Sequence, residues 1–280
     1  MKKIWILAGW AVMALACEDP LKPAERIDEP RVLGVRVTTE RGEASLVPGE
    51  PAGVELLVAG PDGPQPARVA YRWCEAASSE RGVPYCAGEA FAEGIAALAD
   101  EPLAFDVPAA LGAGVRLALL GAACTSGEPA LADAALADSC SDGEEPLRFS
   151  FDAWTLRDAP QLNPDLSELA VTLGGSAVGL SAAEAEPVCD DATPVLEAGK
   201  KHRLELALGA GALTGNELQL SHFSTQGELA RQFSFVTKHQ APQVELSWQA
   251  PRVVGPVKQY LVVRDGSGGV SWATWNVCVR

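Results

Sequence analysis

From Arg31 onward the chain runs in short segments where apolar, often β-branched residues alternate with polar ones, and this period of two limits the fold more than any other feature. Such segments are RVLGVRVTT at 31–39, GVELLVAG at 53–60, ARVAYRWC at 67–74, LAFDV at 103–107, VRLALLGAA at 115–123 and LRFSFDAW at 147–154. Turns such as VPGEP and GPDGPQP stand between them, at the spacing of an antiparallel sandwich. A joint is expected at 155–165 (TLRDAPQLNPD), with a fresh run, LSELAVTL, after it. Strand candidates then resume at 202–208, 217–223, 231–237, 243–249, 257–264 and 270–279. Alanine-rich pieces at 90–99 and 129–138 are candidates for short helices within loops. No run from 17 to 280 joins helical length to a 3.6-residue apolar stripe, which disfavours an α/β enzyme fold. The expected fold class is all-β, with two sandwich domains in tandem over 31–155 and 156–280.

At the amino end, Lys2 and Lys3 precede an uncharged run, Ile4 to Ala16, and Glu18-Asp19 follows Cys17. This is the three-part pattern of a secretory signal. The run is too short for the roughly 20 residues a membrane-crossing helix needs. Ala14-Leu15-Ala16-Cys17 resembles the bacterial lipobox, with Ala14 where leucine is usual. That resemblance implies removal of residues 1–16 and acylation (palmitate or a similar chain) of Cys17. An ordinary cut after Ala-x-Ala is the alternative, since Ala14 and Ala16 satisfy that rule as well. Residues 17–30, charged and proline-containing, read as a lipidated tether. The expected address is the bacterial cell envelope, at the outer membrane, with the lipid on Cys17 as the membrane contact.

Removing residues 1–16, which include Lys2 and Lys3, leaves 264 residues and moves the formal charge from −15 to −17. Such acidity, with no basic cluster, argues against nucleic acid and against anionic lipid surfaces as partners. Export makes disulfides available, and apart from Cys17 the cysteines number six: Cys74, Cys86, Cys124, Cys140, Cys189 and Cys278. Six cysteines allow 15 connectivities. Nearest-neighbour pairing is the expected one, with Cys74–Cys86 and Cys124–Cys140 closing short loops and Cys189–Cys278 tying the second domain's beginning to its end. Zinc is disfavoured, because no CxxC pair exists and His202, His222 and His239 lie far from any cysteine in sequence.

The carboxyl-terminal stretch Tyr260 to Trp272 (YLVVRDGSGGVSW) reverses at Asp265-Gly266 and Gly268-Gly269. It resembles the last hairpin of PKD-type and related immunoglobulin-like modules. With the lipobox, Pro30 to Arg36, Tyr71-Arg72-Trp73-Cys74 and Phe223 to Gly227, the chain is similar to lipoproteins common in myxobacteria and their relatives. The resemblance implies two immunoglobulin-like (PKD-like) β-sandwiches and an envelope address. It implies no defined activity.

Candidate chemistry is sparse. Asp265, or Asp190-Asp191, could supply oxygen ligands to calcium, but no ligand-spaced run surrounds them, and a turn-capping role is the simpler reading. No metal site, cofactor or catalytic residue is expected. G-x-S-x-G, H-E-x-x-H and the phosphate-binding loop are all missing, and Gly209 to Gly215 lacks the lysine and helix that such a loop needs. Trp73 reads as a core residue. Trp272 and Trp275, three apart on one strand, point to opposite faces, so one of them is a possible contact surface. The expected function is therefore non-enzymatic: an envelope lipoprotein presenting β-domains for binding, with a protein or glycan as partner, or for structural support. A glycan-acting envelope hydrolase built from loop carboxylates such as Glu144-Glu145 is the alternative. A deep cleft with converging carboxylates would distinguish it.

Overall fold

The computed structural model describes residues 23–40, 43–78, 84–97, 103–129, 139–155, 161–213 and 217–280, with Trp154 described by its backbone alone. Cys17, the signal segment, the first part of the tether and the alanine-rich piece 130–138 lie outside the described residues.

Among the described residues, nine strands make the first sandwich: β1 (Arg31–Thr39), β2 (Pro51–Gly60), β3 (Gly63–Pro64), β4 (Arg68–Ser78), β5 (Pro84–Cys86), β6 (Ala92–Ala97), β7 (Leu103–Asp106), β8 (Arg116–Cys124) and β9 (Leu147–Trp154). One sheet has β2 between β1 and β7, with the short β3 continuing the β7 side. The other runs β5 and β6 on one side of β4, then β8 and β9 on its far side. Every pair is antiparallel. Inward-facing Val35, Val37, Val54, Val69, Leu117 and Leu119 fill the space between the sheets, and Trp73 stacks on Phe105 with ring centres 4.5 Å apart. The alanine-rich stretch expected to be helical is instead strand β6 over 92–97. Pairing with Arg68 to Trp73 outweighs alanine's weak preference for helix.

The second sandwich repeats the plan with β10 (Ala170–Leu173), β11 (Ser176–Val178), β12 (Leu180–Ser181), β13 (Val195–Leu196), β14 (Lys201–Ala207), β15 (Glu217–Ser224), β16 (Glu228–Leu229), β17 (Phe233–Thr237), β18 (Gln243–Gln249), β19 (Gly255–Arg264) and β20 (Val270–Val279). One sheet is ordered β11-β10-β14-β18-β16. The other is ordered β12-β20-β19-β15-β17, with β13 joining β20 in parallel. Leu204, Leu206, Leu218, Leu220, Trp248, Leu261 and Trp275 lie between them.

Both units place the first, second and fifth long strands in one sheet and the third, fourth, sixth and seventh in the other. That order, reached by antiparallel pairing throughout the long strands, makes the fold all-β with two immunoglobulin-like sandwiches in tandem. Three disulfides brace it: Cys74–Cys86, Cys124–Cys140 and Cys189–Cys278. The first two close loops within the first sandwich. The third clips the 182–194 loop to β20.

Between the two units lies a third apolar cluster, of Ile27, Leu33, Leu57, Ala59, Phe223, Tyr260, Val262 and Val270, with Phe151, Ala183 and Trp272 packed against it. A bulge in β1 builds its first-domain side. The pairing steps from Val32↔Val58 to Gly34↔Leu57, leaving Leu33 as the extra residue. One extra residue reverses the in/out alternation, so Leu33 leaves the face that Val35 and Val37 share and turns to the neighbouring sandwich.

Ile27 corrects the expected tether. From Pro23 onward that segment is part of the fold, with Ile27 fully buried. Ile27 N donates to Ser224 O at 2.9 Å, and Ser224 N donates to Glu25 O at 3.0 Å.

Candidate functional site

The contact between the sandwiches is the most elaborate polar and aromatic arrangement among the described residues. Its first-domain side is the outer face of β1 and β2, and its second-domain side is the outer face of β15, β19 and β20. Gly34 permits the close approach. A Cβ there would stand 3.2 Å from Trp272 Cε3 and 3.4 Å from Val262 Cγ1. The Arg36 guanidinium lies over the Trp272 ring, 4.3 Å from its centre, and also pairs with Glu55. Arg264 reaches back, its Nη2 donating to Leu33 O at 2.8 Å and its Nη1 to Ser221 Oγ at 3.0 Å. Burial draws the Arg264 pKa below its ordinary value.

The expected joint supplies the next set of contacts. Residues 156–160 lie outside the described part, but Gln161 and Asn163 act as staples. Asn163 Nδ2 donates to Val37 O at 3.0 Å, and Asn163 Oδ1 accepts from Val270 N at 2.9 Å, so one amide bonds both sandwiches. Gln161 N donates to Ser45 Oγ at 2.8 Å while its Nε2 donates to Asp265 Oδ2 at 3.0 Å. Asp265, considered above as a calcium ligand, is buried. Its Oδ1 accepts from Ser267 N at 2.8 Å and Gly269 N at 2.9 Å, closing the hairpin around Gly266 (φ 73°) and Gly268 (φ 112°). Asp190 Oδ1 accepts from Ala192 N at 3.0 Å and Thr193 Oγ1 at 2.7 Å, a turn held by its own side chain. Among the described residues no three His, Cys, Asp or Glu side chains are grouped to hold a metal ion.

The two strand tryptophans separate as their spacing requires. Trp275 is buried in the second core, its Nε1 donating to Gln259 Oε1 at 3.0 Å. Trp272 stands on the opposite face, beneath Arg36. Of the two rings offered as a possible contact surface, Trp272 packs against the first sandwich of the same chain.

Lys258, missed in the sequence, lies on the same outer face of β19. Its side chain is buried under the 182–194 loop, with Nζ donating to Ala182 O at 2.8 Å and to Ala185 O. Burial lowers its pKa to about 8, against an opposing pull from Glu184 and Glu186. Tyr260, two residues along, has its phenol pushed well above the ordinary range by burial. The histidines do not converge. His222 is buried in β15, with Nε2 3.0 Å from Ser234 Oγ, and burial lowers its pKa to about 4. His202 lies near Trp248, and His239 is exposed.

Hollows open to solvent among the described residues. One of about 610 Å³ lies on the outer face of β14 and β18, with Lys201, Arg203, Arg231 and Glu245 among its lining residues. One of about 410 Å³ sits beside Trp272, Leu180 and Asp165. A third, about 390 Å³, lies between Arg31, Arg264 and Phe233. Each of the first two contains one carboxylate and the third contains none.

Fold and site together define a braced pair of immunoglobulin-like sandwiches with a buried mutual interface. No protein-family model matches the sequence, and neither does any curated protein. Similar solved structures include the chicken CNTN1 FN1-FN3 domains, at 11% identity over 91% of this chain and 68% of that one, with a TM-score of 0.26. Escherichia coli alpha-2-macroglobulin activated by porcine elastase is 10% identical over 92% of this chain, with a TM-score of 0.26, and only 22% of its own length is spanned. The D00-D0 domain of intimin is 8% identical over 86% of this chain and 98% of that one, with a TM-score of 0.24. With TM-scores this low, the sandwich assignment rests on the strand order alone.

Proposed function

We propose that the chain is a non-enzymatic lipoprotein of the bacterial envelope, held at the outer membrane by lipid on Cys17, that presents a fixed pair of β-sandwiches for binding a protein or glycan or for structural support. The observation that carries the presenting role is the third apolar cluster with its Asn163 and Gln161 staples. An apolar seam bonded from both sides restrains the two sandwiches relative to one another, which suits a display or spacer element. Lipidation is supported by the signal-like start and by the cysteine count. Three disulfides use six of seven cysteines, and Cys17 remains. Two or three acyl chains, at roughly 0.8 kcal/mol per buried methylene, hold a protein on a membrane almost permanently.

The test is Cys17→Ser expressed with the full signal segment. Wild type is expected in the membrane fraction after a high-salt wash and to take up a palmitate analogue. The variant is expected to be soluble and folded, with its three disulfides intact. A variant that stays membrane-bound after the wash overturns the anchor. For the presenting role, crosslinked envelopes are probed with the soluble variant, and a reproducible partner separates binding from support.

A further inference from the structure

From Pro23 onward the chain docks along β15. Ala24 O accepts from Gln232 Nε2 at 3.5 Å and from Arg31 Nη1 at 2.7 Å, and Arg26 bridges to Ser224 in parallel. Followed backwards from Arg26, the chain therefore runs antiparallel to the course of β15 and arrives beside Gln232, the residue before β17. Five residues, 18–22, separate Cys17 from Pro23, so the anchoring sulfur lies at most about 20 Å from Pro23.

β17 is the edge strand of its sheet. Ser234 and Val236 point inward, while Phe233 and Phe235 point outward, 42% and 56% exposed. Two half-bare phenylalanines on an edge strand are a liability for a protein free in solution.

We propose that β17 is the membrane-facing edge of the molecule, with Phe233 and Phe235 seated in the headgroup layer of the bilayer that holds the Cys17 lipid. The proposal rests on the lipid-anchor reading. Aromatic and aliphatic side chains are those that seat in a bilayer interface. The small number of residues between Cys17 and Pro23 keeps the docked segment close to the anchor, where this edge can meet the surface.

Two measurements test the proposal separately from the anchor. In the first, the soluble chain 17–280 carrying Cys17→Ser is sedimented with phosphatidylethanolamine–phosphatidylcholine vesicles, which carry no net charge. Adding Phe233→Ser and Phe235→Ser is expected to weaken binding by about tenfold or more. Both sites are surface positions, so thermal unfolding is expected to be unchanged, and unchanged binding in a folded variant overturns the proposal. In the second, acylated wild type in the same vesicles is compared by hydrogen exchange with the soluble chain. Those amides of 232–238 that are not bonded to β15 are expected to exchange more slowly on vesicles. Equal exchange of these amides overturns the proposal, as does their protection already in the soluble chain, which means that a second copy or the chain's own segment covers β17. A wild-type chain recovered without lipid overturns the anchor alone, and the vesicle sedimentation then decides the role of β17.

Discussion

Truncating Ile27 to alanine tests whether the start of the described chain belongs to the fold. Ile27 is 0% exposed within the cluster between the sandwiches. The change deletes three carbons, and at about 0.8 kcal/mol for each the lost transfer energy is about 2.4 kcal/mol. Incomplete closing of the cavity raises this to about 3 kcal/mol. The backbone bonds to Ser224 stay in place, so the segment remains docked and the cavity is not simply abandoned to water. The assay is urea unfolding of residues 17–280 with Cys17→Ser, disulfides oxidised, followed by tryptophan fluorescence. With a slope of about 3 kcal/mol/M for a chain this long, the midpoint should fall by about 1 M. Leu162→Ala, at a half-exposed position, is the control and should change stability by less than about 0.5 kcal/mol. If Ile27→Ala also falls within about 0.5 kcal/mol, residues 23–30 are a free tether and the packing argument fails.

Two other perturbations have worked magnitudes. The Cys189–Cys278 bridge spans 89 residues against 12 and 16 for the others. Loop entropy makes it worth about 4.6 kcal/mol against about 3 kcal/mol for each short one, so paired serine replacement there should lower the urea midpoint furthest, and an equal loss at all three sites refutes that ordering. For His222, the folded pKa of about 4 lies below the ordinary 6.5, so the unfolded chain takes up the proton first as pH falls. Its contribution is whole above about pH 6.5 and is lost as pH drops toward 4, on the order of 3 kcal/mol in full. Between about pH 7 and about pH 4 wild type should therefore lose more stability than His222→Gln, and parallel losses would show that burial of this imidazole does not set the pH response.

The strands were legible because alternation is a direct image of a sheet with one covered face. β1, β9, β18 and β20 have the expected limits, and most of the others shift by one to three residues. β6 was not legible, because AEGIAA carries alanine in place of the β-branched residues that mark a strand. Its pairing with β4 is a tertiary fact. The meeting of the sandwiches left one signal in the sequence. Tyr260-Leu261-Val262-Val263 is apolar without alternation, as a strand covered on both faces must be, and β19 is buried on both. The β1 bulge left none, since Val32-Leu33-Gly34-Val35 reads as an ordinary strand until its partner's register is known. Asn163 and Gln161 were equally hidden, because their bonding partners lie more than a hundred residues away. Cys17 rests on the sequence alone.

The position of β20 has a consequence for how the molecule is made. It is a central strand, bonded to β19 on one side and to β12 and β13 on the other, and it also lends Val270 and Trp272 to the seam with β1. A chain made from its amino end delivers β1 first and β20 last. Leu33 and Leu57 must therefore wait, wet and uncovered, until the last of these strands has been made. Assembly of this protein is timed by its final strand, and a product cut short before Val270 would be left with an open seam and an unpaired Cys189.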